Sequence, residues 1–246
     1  MDEQQAADKK LVIWVTGGKG GTGKSTFARA VLSVLAKHGV DVFAVDGDPE
    51  NAQLHRYCQG VGNGVVRAEL AKRQGADDIL NAMEKKAPAV VLADVAAGGS
   101  QILMRLQDES LFLSDAAELG YQFTVVSLLS PIKDSINMLR QALDTTRGYD
   151  VRHVAVKNLH FQPLNLFELF DNSKTMQRFE ADGGIVLTMR ELFSPTYALV
   201  DEKNLPFHLA EQREGGLENR GDRNRVAQWL NVFEAQMRDA DGRLWL

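Results

Sequence analysis

Apolar positions along the chain fall into two alternating patterns. Residues 11–16 form an unbroken apolar run that includes the β-branched Val12, Ile13, Val15 and Thr16, and Gly17 and Gly18 halt it. A run this short with no polar face predicts a strand covered on both sides. After a glycine-rich stretch, Phe27, Val31 and Leu35 recur at every fourth residue, with Ala28 and Leu32 beside them, until Gly39 breaks the pattern. That spacing collects the side chains on one face and predicts a helix lying against a sheet. A second buried strand is predicted over residues 42–45, so the chain opens with a strand, a loop, a helix and a strand. That order is a parallel, right-handed crossover.

The alternation continues. Strands are predicted over residues 89–93, 123–128, 151–156 and 185–188, and helices over 77–86, 131–146, 174–181 and 224–238, with Pro131 suited to a first helical turn. Apolar strands separated by helices predict an α/β fold: a mostly parallel, twisted sheet with helices on both faces. The sequence contains no repeat, no low-complexity tract and no linker rich in Pro, Gly or Ser. The expected organisation is a polar N-terminal tail over residues 1–10 and one domain over 11–246.

Composition narrows the classes. With 44% hydrophobic and 25% charged residues the chain has the balance of a globular protein. No apolar run approaches the roughly 18 residues of a membrane span, and the polar, acidic start does not read as a secretory leader. The single cysteine, Cys58, can form neither an internal disulfide nor a thiolate pair for a metal, which leads us to expect a reducing cytoplasm. A net charge of -5 argues against indiscriminate attraction to nucleic acid or anionic lipid. The histidines show no metal-ligand spacing.

The strongest chemical signal is Gly18-Lys19-Gly20-Gly21-Thr22-Gly23-Lys24-Ser25, placed between the first strand and the first helix. This is the phosphate-loop pattern in the context it requires. Its glycines let backbone N–H groups approach phosphates at the positive end of the following helix. Lys24 supplies a point charge for the β- and γ-phosphates, and the Ser25 hydroxyl is a ligand for Mg²⁺.

With Thr26 added, the run from Lys19 to Thr26 resembles the deviant Walker A motif of the ParA/MinD partition and positioning ATPases. The resemblance implies that Lys19 is the signature lysine, which reaches across a nucleotide-sandwich dimer to the partner's phosphates. Asp46-Gly47-Asp48-Pro49 is similar to the family's D-x-D-P element, implying that Asp48 positions the attacking water and Asp46 helps arrange the magnesium shell. Asp94, at the end of a predicted strand, matches a Walker B aspartate that binds Mg²⁺ through water, and Gly98 matches the switch glycine. Asn158 resembles the asparagine that reads adenine, and Leu205-Pro206-Phe207 resembles a segment that walls the base pocket, although plain apolar packing explains it equally well. The switch segment, residues 94–98, lacks the proline many relatives carry after the aspartate. Beyond the first hundred residues the resemblance is architectural, Asn158 apart.

The resemblance implies an ATP- and Mg²⁺-dependent ATPase that dimerises with itself on ATP and answers to a protein partner that stimulates hydrolysis. Catalysis would fall to Lys19, Lys24 and Asp48. Plasmid partition or conjugative transfer is the favoured setting. DNA is a further expected partner through Arg213, Arg220, Arg223 and Arg225, although interspersed acids make a salt-bridged face the simpler explanation. The chain's last residues carry one base and a short apolar tip, which is poor material for a membrane anchor. Two alternatives stay open: an ATP-dependent ligase or kinase resembling dethiobiotin synthetase, and a nucleotide-dependent adaptor with negligible hydrolysis.

Overall fold

A computed structural model describes residues 10–18, 21–160 and 164–246. Its strands are β1 (Lys10–Gly17), β2 (Val42–Gly47), β3 (Val65–Arg67), β4 (Val90–Val95), β5 (Tyr121–Leu129), β6 (Val151–Asn158) and β7 (Ile185–Met189). They form one seven-stranded sheet in the order β3-β2-β4-β1-β5-β6-β7. Every neighbouring pair is parallel. The predicted α/β fold is therefore observed, with β1 at the centre.

Alternation along β1 builds the two layers. Leu11, Ile13 and Val15 face one side, where they pack with α1 (Lys24–Lys37), α2 (Gln53–Cys58), α9 (Ser194–Glu202), α10 (Phe207–Ala210) and α11 (Arg220–Asp239). Val12 and Trp14 face the other, against α3 (Arg73–Lys85), α4 (Gly99–Ser110) and α5 (Phe112–Glu118). On that second face, α6 (Lys133–Thr145), α7 (Glu168–Asp171) and α8 (Lys174–Ala181) cover the β5–β6 end. Trp14 is fully buried, 5.9 Å from the Phe112 ring and 6.1 Å from that of Phe123, and its indole N–H donates to the Gly99 carbonyl. Truncating it to alanine would cost about 3–5 kcal/mol.

The topology positions the site. β1 feeds α1 on one face and β4 feeds α4 on the other, so the chain leaves these neighbouring strands in opposite directions. Their carboxyl ends open a crevice, the usual ligand position of an open α/β sheet.

Several expectations need adjusting. Lys10 opens β1 and its Nζ donates to the Leu119 carbonyl at 3.3 Å, whereas the rest of the expected tail lies outside the described residues. The helix expected from residue 131 starts at Lys133, because Ile132 is extended with ψ 152°. The helix expected from residue 77 starts at Arg73, and that expected from 224 starts at Arg220, where the Asn219 side chain accepts from the Gly221 N–H at 2.7 Å. Among the described residues no helix is long and apolar enough to cross a membrane. Cys58 is buried, and burial pushes its thiol up to about 12, so it is an inert core group.

Candidate functional site

The glycine-rich loop follows β1 at the crevice. Gly21 and Gly23 have φ of 93° and 91°, a region other residues enter at a cost, and Gly23 has a second constraint. A Cβ there would stand 2.3 Å from Asn158 Nδ2. α1 starts at Lys24 with no acidic residue in its first turn and no side-chain cap. Its first N–H groups therefore have no side-chain acceptor, and the positive end of the helix faces the loop, which suits an anion. Lys24 is 8% exposed and its ammonium donates to the Gly18 carbonyl at 3.4 Å. Lys19 and Gly20 lie outside the described residues.

Three acids flank this loop. β2 and β4 are in register at Asp46 and Asp94, which brings the two carboxylates side by side. Asp94 is 1% exposed, and among the described residues neither of its oxygens has a hydrogen-bond partner of ordinary geometry, the Ser25 hydroxyl lying close by. Burial pushes its pKa up to about 7; the nearby Ser25 hydroxyl and Lys24 ammonium oppose that rise, and Asp46 and Asp48 add to it. Asp46 is engaged: its Oδ1 accepts from the Asp48 N–H at 3.1 Å and its Oδ2 from the His55 N–H at 2.9 Å. Burial raises its pKa, and these two N–H donors oppose the rise. Asp48 is half-buried, and its Oδ1 accepts from the N–H groups of Glu50 and Asn51, both at 3.0 Å, fixing the loop and leaving Oδ2 uncommitted. Gly98, with φ 84°, precedes the first residue of α4, so the switch position needs glycine for its backbone conformation.

A buried carboxylate with no partner is expensive unless a cation or proton meets it. Asp94 beside Ser25 and Asp46 therefore fits a hard divalent ion. Among the described residues no group of three or more His, Cys, Asp or Glu side chains could hold a metal alone. That excludes a complete protein cage there and suits Mg²⁺, which keeps waters and takes phosphate oxygens as ligands.

On the far side of α1's first turn lies a cleft of about 230 Å³ whose lining includes Gly21, Thr26, Asn158, Tyr197 and Trp229. Asn158 ends β6 and is spent within the protein: its Nδ2 donates to the Thr22 carbonyl at 2.9 Å and its Oδ1 accepts from the His160 N–H at 3.0 Å. In this state it braces the phosphate loop. Pro206 is not among the described residues lining the cleft. It caps α10, and Phe207 is fully buried with its ring 4.8 Å from that of Trp229. Apolar packing accounts for this segment. Tyr197, Trp229 and residues 189–192, at the end of β7 and just beyond it, line the cleft. The carboxyl end of a parallel strand was the available signal for that stretch.

The proposed DNA-contacting arginines divide. Arg223 donates to the carbonyls of Leu217 and Glu218, and Arg225 pairs with Asp222 at 2.9 Å and lies over the Phe193 ring. Local bonds thus occupy two of the four cations that Arg213 and Arg220 complete.

A glycine loop between a central parallel strand and a helix, with an unpaired acid at the end of the next strand, defines a P-loop nucleotide-binding protein. The chain belongs to the CobQ/CobB/MinD/ParA nucleotide binding domain family, whose model matches residues 13–181. It is 26% identical over 184 residues to Protein MobD of Acidithiobacillus ferrooxidans, covering 74% of this chain and 78% of that one. It is similar in fold to the septum site-determining protein MinD complexed with Mg-ADP from Pyrococcus horikoshii OT3, with a TM-score of 0.50 at 16% identity over 91% of this chain and 96% of that one. The MinD cell division protein of Aquifex aeolicus gives 0.49 at 14% identity over 90% and 97%. Members of the ParA/MinD family are ATPases.

Proposed function

We propose that this chain is a Mg²⁺-dependent ATPase that works as a dimerisation switch: its ATP form pairs with a second copy, and slow hydrolysis releases it. The observation that carries this reading is Asp94, buried and unpaired at the foot of the loop that presents Lys24 and Ser25. The setting we propose is plasmid partition or conjugative transfer in the cytoplasm, with an unidentified protein partner that stimulates hydrolysis and no stable membrane association. DNA is a secondary partner in this reading, since among the described residues local bonds occupy Arg223 and Arg225 of the expected patch.

Each residue has a defined task. The loop N–H groups and the start of α1 hold the phosphates, and Lys24 swings its charge from the Gly18 carbonyl to the β- and γ-oxygens. Ser25 and Asp94, with Asp46 behind them, would hold Mg²⁺, which when bound neutralises charge on the phosphate oxygens. Asp48 uses one oxygen to fix its own loop and keeps the other to orient water toward the terminal phosphate. Gly98 reports the terminal phosphate through its N–H at the start of α4. The part given to Lys19, charge supplied across the dimer, rests on the resemblance of its motif.

Light-scattering mass measured with ADP and with ATP plus Mg²⁺ tests this reading. Wild type should double in mass only with ATP, Lys19→Ala should lose or weaken the doubling, and Asp48→Ala should persist as an ATP dimer. Mass indifferent to nucleotide in all three would remove the switch and turn attention to metabolite-activating chemistry. An ATP dimer without turnover would make the protein an adaptor.

A further inference from the structure

Behind the phosphate loop, three side chains form a hydrogen-bond chain that starts from a guanidinium. Arg29, three residues beyond Thr26 on α1, is fully buried. Its guanidinium lies 3.7 Å from the centre of the Tyr57 ring and 4.7 Å from that of Phe207, and among the described residues its Nε and Nη2 have no hydrogen-bond partner. The aromatic faces supply what partners would, since ring faces attract cations. The remaining nitrogen, Nη1, donates to the Tyr197 hydroxyl at 3.3 Å and lies 3.6 Å from Asp201 Oδ1.

A guanidinium only donates, so Tyr197 is the acceptor in that bond. The hydroxyl's other neighbour is Thr26 Oγ1 at 3.0 Å. Either hydroxyl can donate in that bond, and among the described residues each direction leaves one proton without a protein acceptor; Tyr197 donating to Thr26 is the direction that leaves the Thr26 proton for the cleft. Thr26 is then an acceptor toward Tyr197, and its own proton meets no protein acceptor among the described residues. Both residues line the cleft beside the loop. Taken in the order Arg29 to Tyr197 to Thr26, the chain gives the Thr26 hydroxyl a proton for whatever fills that cleft.

We propose that Tyr197, held by Arg29, is a positioning residue that fixes the Thr26 hydroxyl as a hydrogen-bond donor to an oxygen in the part of the nucleotide that ATP and ADP share. The inference rests on the nucleotide reading of the cleft. Tyr197 acts only through Thr26, and the relay serves ground-state binding rather than the reaction step. Its loss therefore weakens affinity for ATP and ADP alike.

The test is a double-mutant cycle read by calorimetric binding of ATP and of ADP. Tyr197→Phe keeps the ring that packs 6.3 Å from Phe207 and removes only the hydroxyl. It should weaken both nucleotides about three- to tenfold, the scale of one hydrogen bond. Thr26→Val should lose at least as much, Thr26→Ser should stay near wild type, and the double variant should bind no worse than Thr26→Val alone. If Tyr197→Phe lowers the melting temperature, the comparison between Thr26→Val and the double variant still decides, because misfolding would weaken binding in both backgrounds and the relay in only one. Unchanged affinity in Tyr197→Phe, losses that multiply in the double variant, or a loss confined to ATP overturns the proposal. A wild-type chain that binds neither nucleotide overturns the functional reading beneath it, which is a different result from wild-type binding that Tyr197→Phe leaves intact.

Discussion

The crevice at the ends of β1 and β4 and a set of side chains in the helical layer beside β7 treat buried polar groups in opposite ways, although His208 Nδ1 in that layer also lacks a partner among the described residues. At the crevice, the hydroxyls of Thr16, Thr22 and Ser100 and both oxygens of Asp94 are buried without a partner among the described residues. Beside β7, Asp222 accepts from the Thr196 hydroxyl at 2.6 Å and from Arg225, Gln236 accepts from the Thr188 N–H and hydroxyl, and the Trp229 indole donates to the Arg190 carbonyl at 2.7 Å. Unpaired buried polar groups are costly and a fold tolerates them where something else completes them. The contrast separates a region prepared for a ligand from one that holds the architecture.

Substitutions should respond accordingly. The largest effect is expected from Lys24→Ala, which should cut nucleotide affinity at least about 100-fold while leaving the melting temperature of the free chain within a few degrees, checked by calorimetry and thermal unfolding. Next, the two buried aspartates should diverge. Asp94→Asn should stabilise the free chain by about 1–2 kcal/mol at pH 8, because it removes an unpartnered charge, whereas Asp222→Ala should destabilise it by about 1–3 kcal/mol by stranding Thr196 and Arg225. Urea unfolding of both variants measures this, and the same sign for both would erase the comparison.

A smaller effect concerns pH. His153 is buried at the start of β6, and burial lowers its pKa to about 4; Asp182 opposes that and Arg178 adds to it. The Thr146 hydroxyl donates to the Ala142 carbonyl, so it accepts from His153 Nε2–H at 2.8 Å, while burial keeps the ring neutral. With the folded pKa below the unfolded value, the unfolded chain binds more protons between pH 6.5 and 4. Stability from this residue is complete above 6.5 and is lost as pH falls toward 4, at most about 3 kcal/mol. His153→Gln should flatten that limb of the unfolding profile.

The sheet was legible because its strands are apolar on both faces, as residues 11–16 and 42–45 show, and because glycines punctuate them. β3 escaped notice because it has three residues, with Val65 buried and Val66 41% exposed, too few for a period. α4 and α5 adjoin at Leu111, a left-handed φ of 53° in a residue that seldom adopts it, so no glycine marked the break. The phosphate loop and its acids could be read because their chemistry is local in sequence. Tyr197 and Trp229 could not, since only the packing of α9 and α11 beside β7 brings them to a loop more than 150 residues away. Asn158 was read as a base-contacting residue, and its bonds to Thr22 and His160 depend on a backbone approach that spacing does not encode.

The account's central claim is that the unpaired carboxylate of Asp94 awaits a nucleotide-bound divalent ion. Calorimetric titration of ATP with Mg²⁺ and with a chelator, in wild type and Asp94→Asn, tests it most directly. Wild type should bind ATP about tenfold or more tightly with Mg²⁺ than without, and Asp94→Asn should bind with an affinity that ignores the ion. Equal Mg²⁺ dependence in the two proteins, or no binding in wild type, would contradict it.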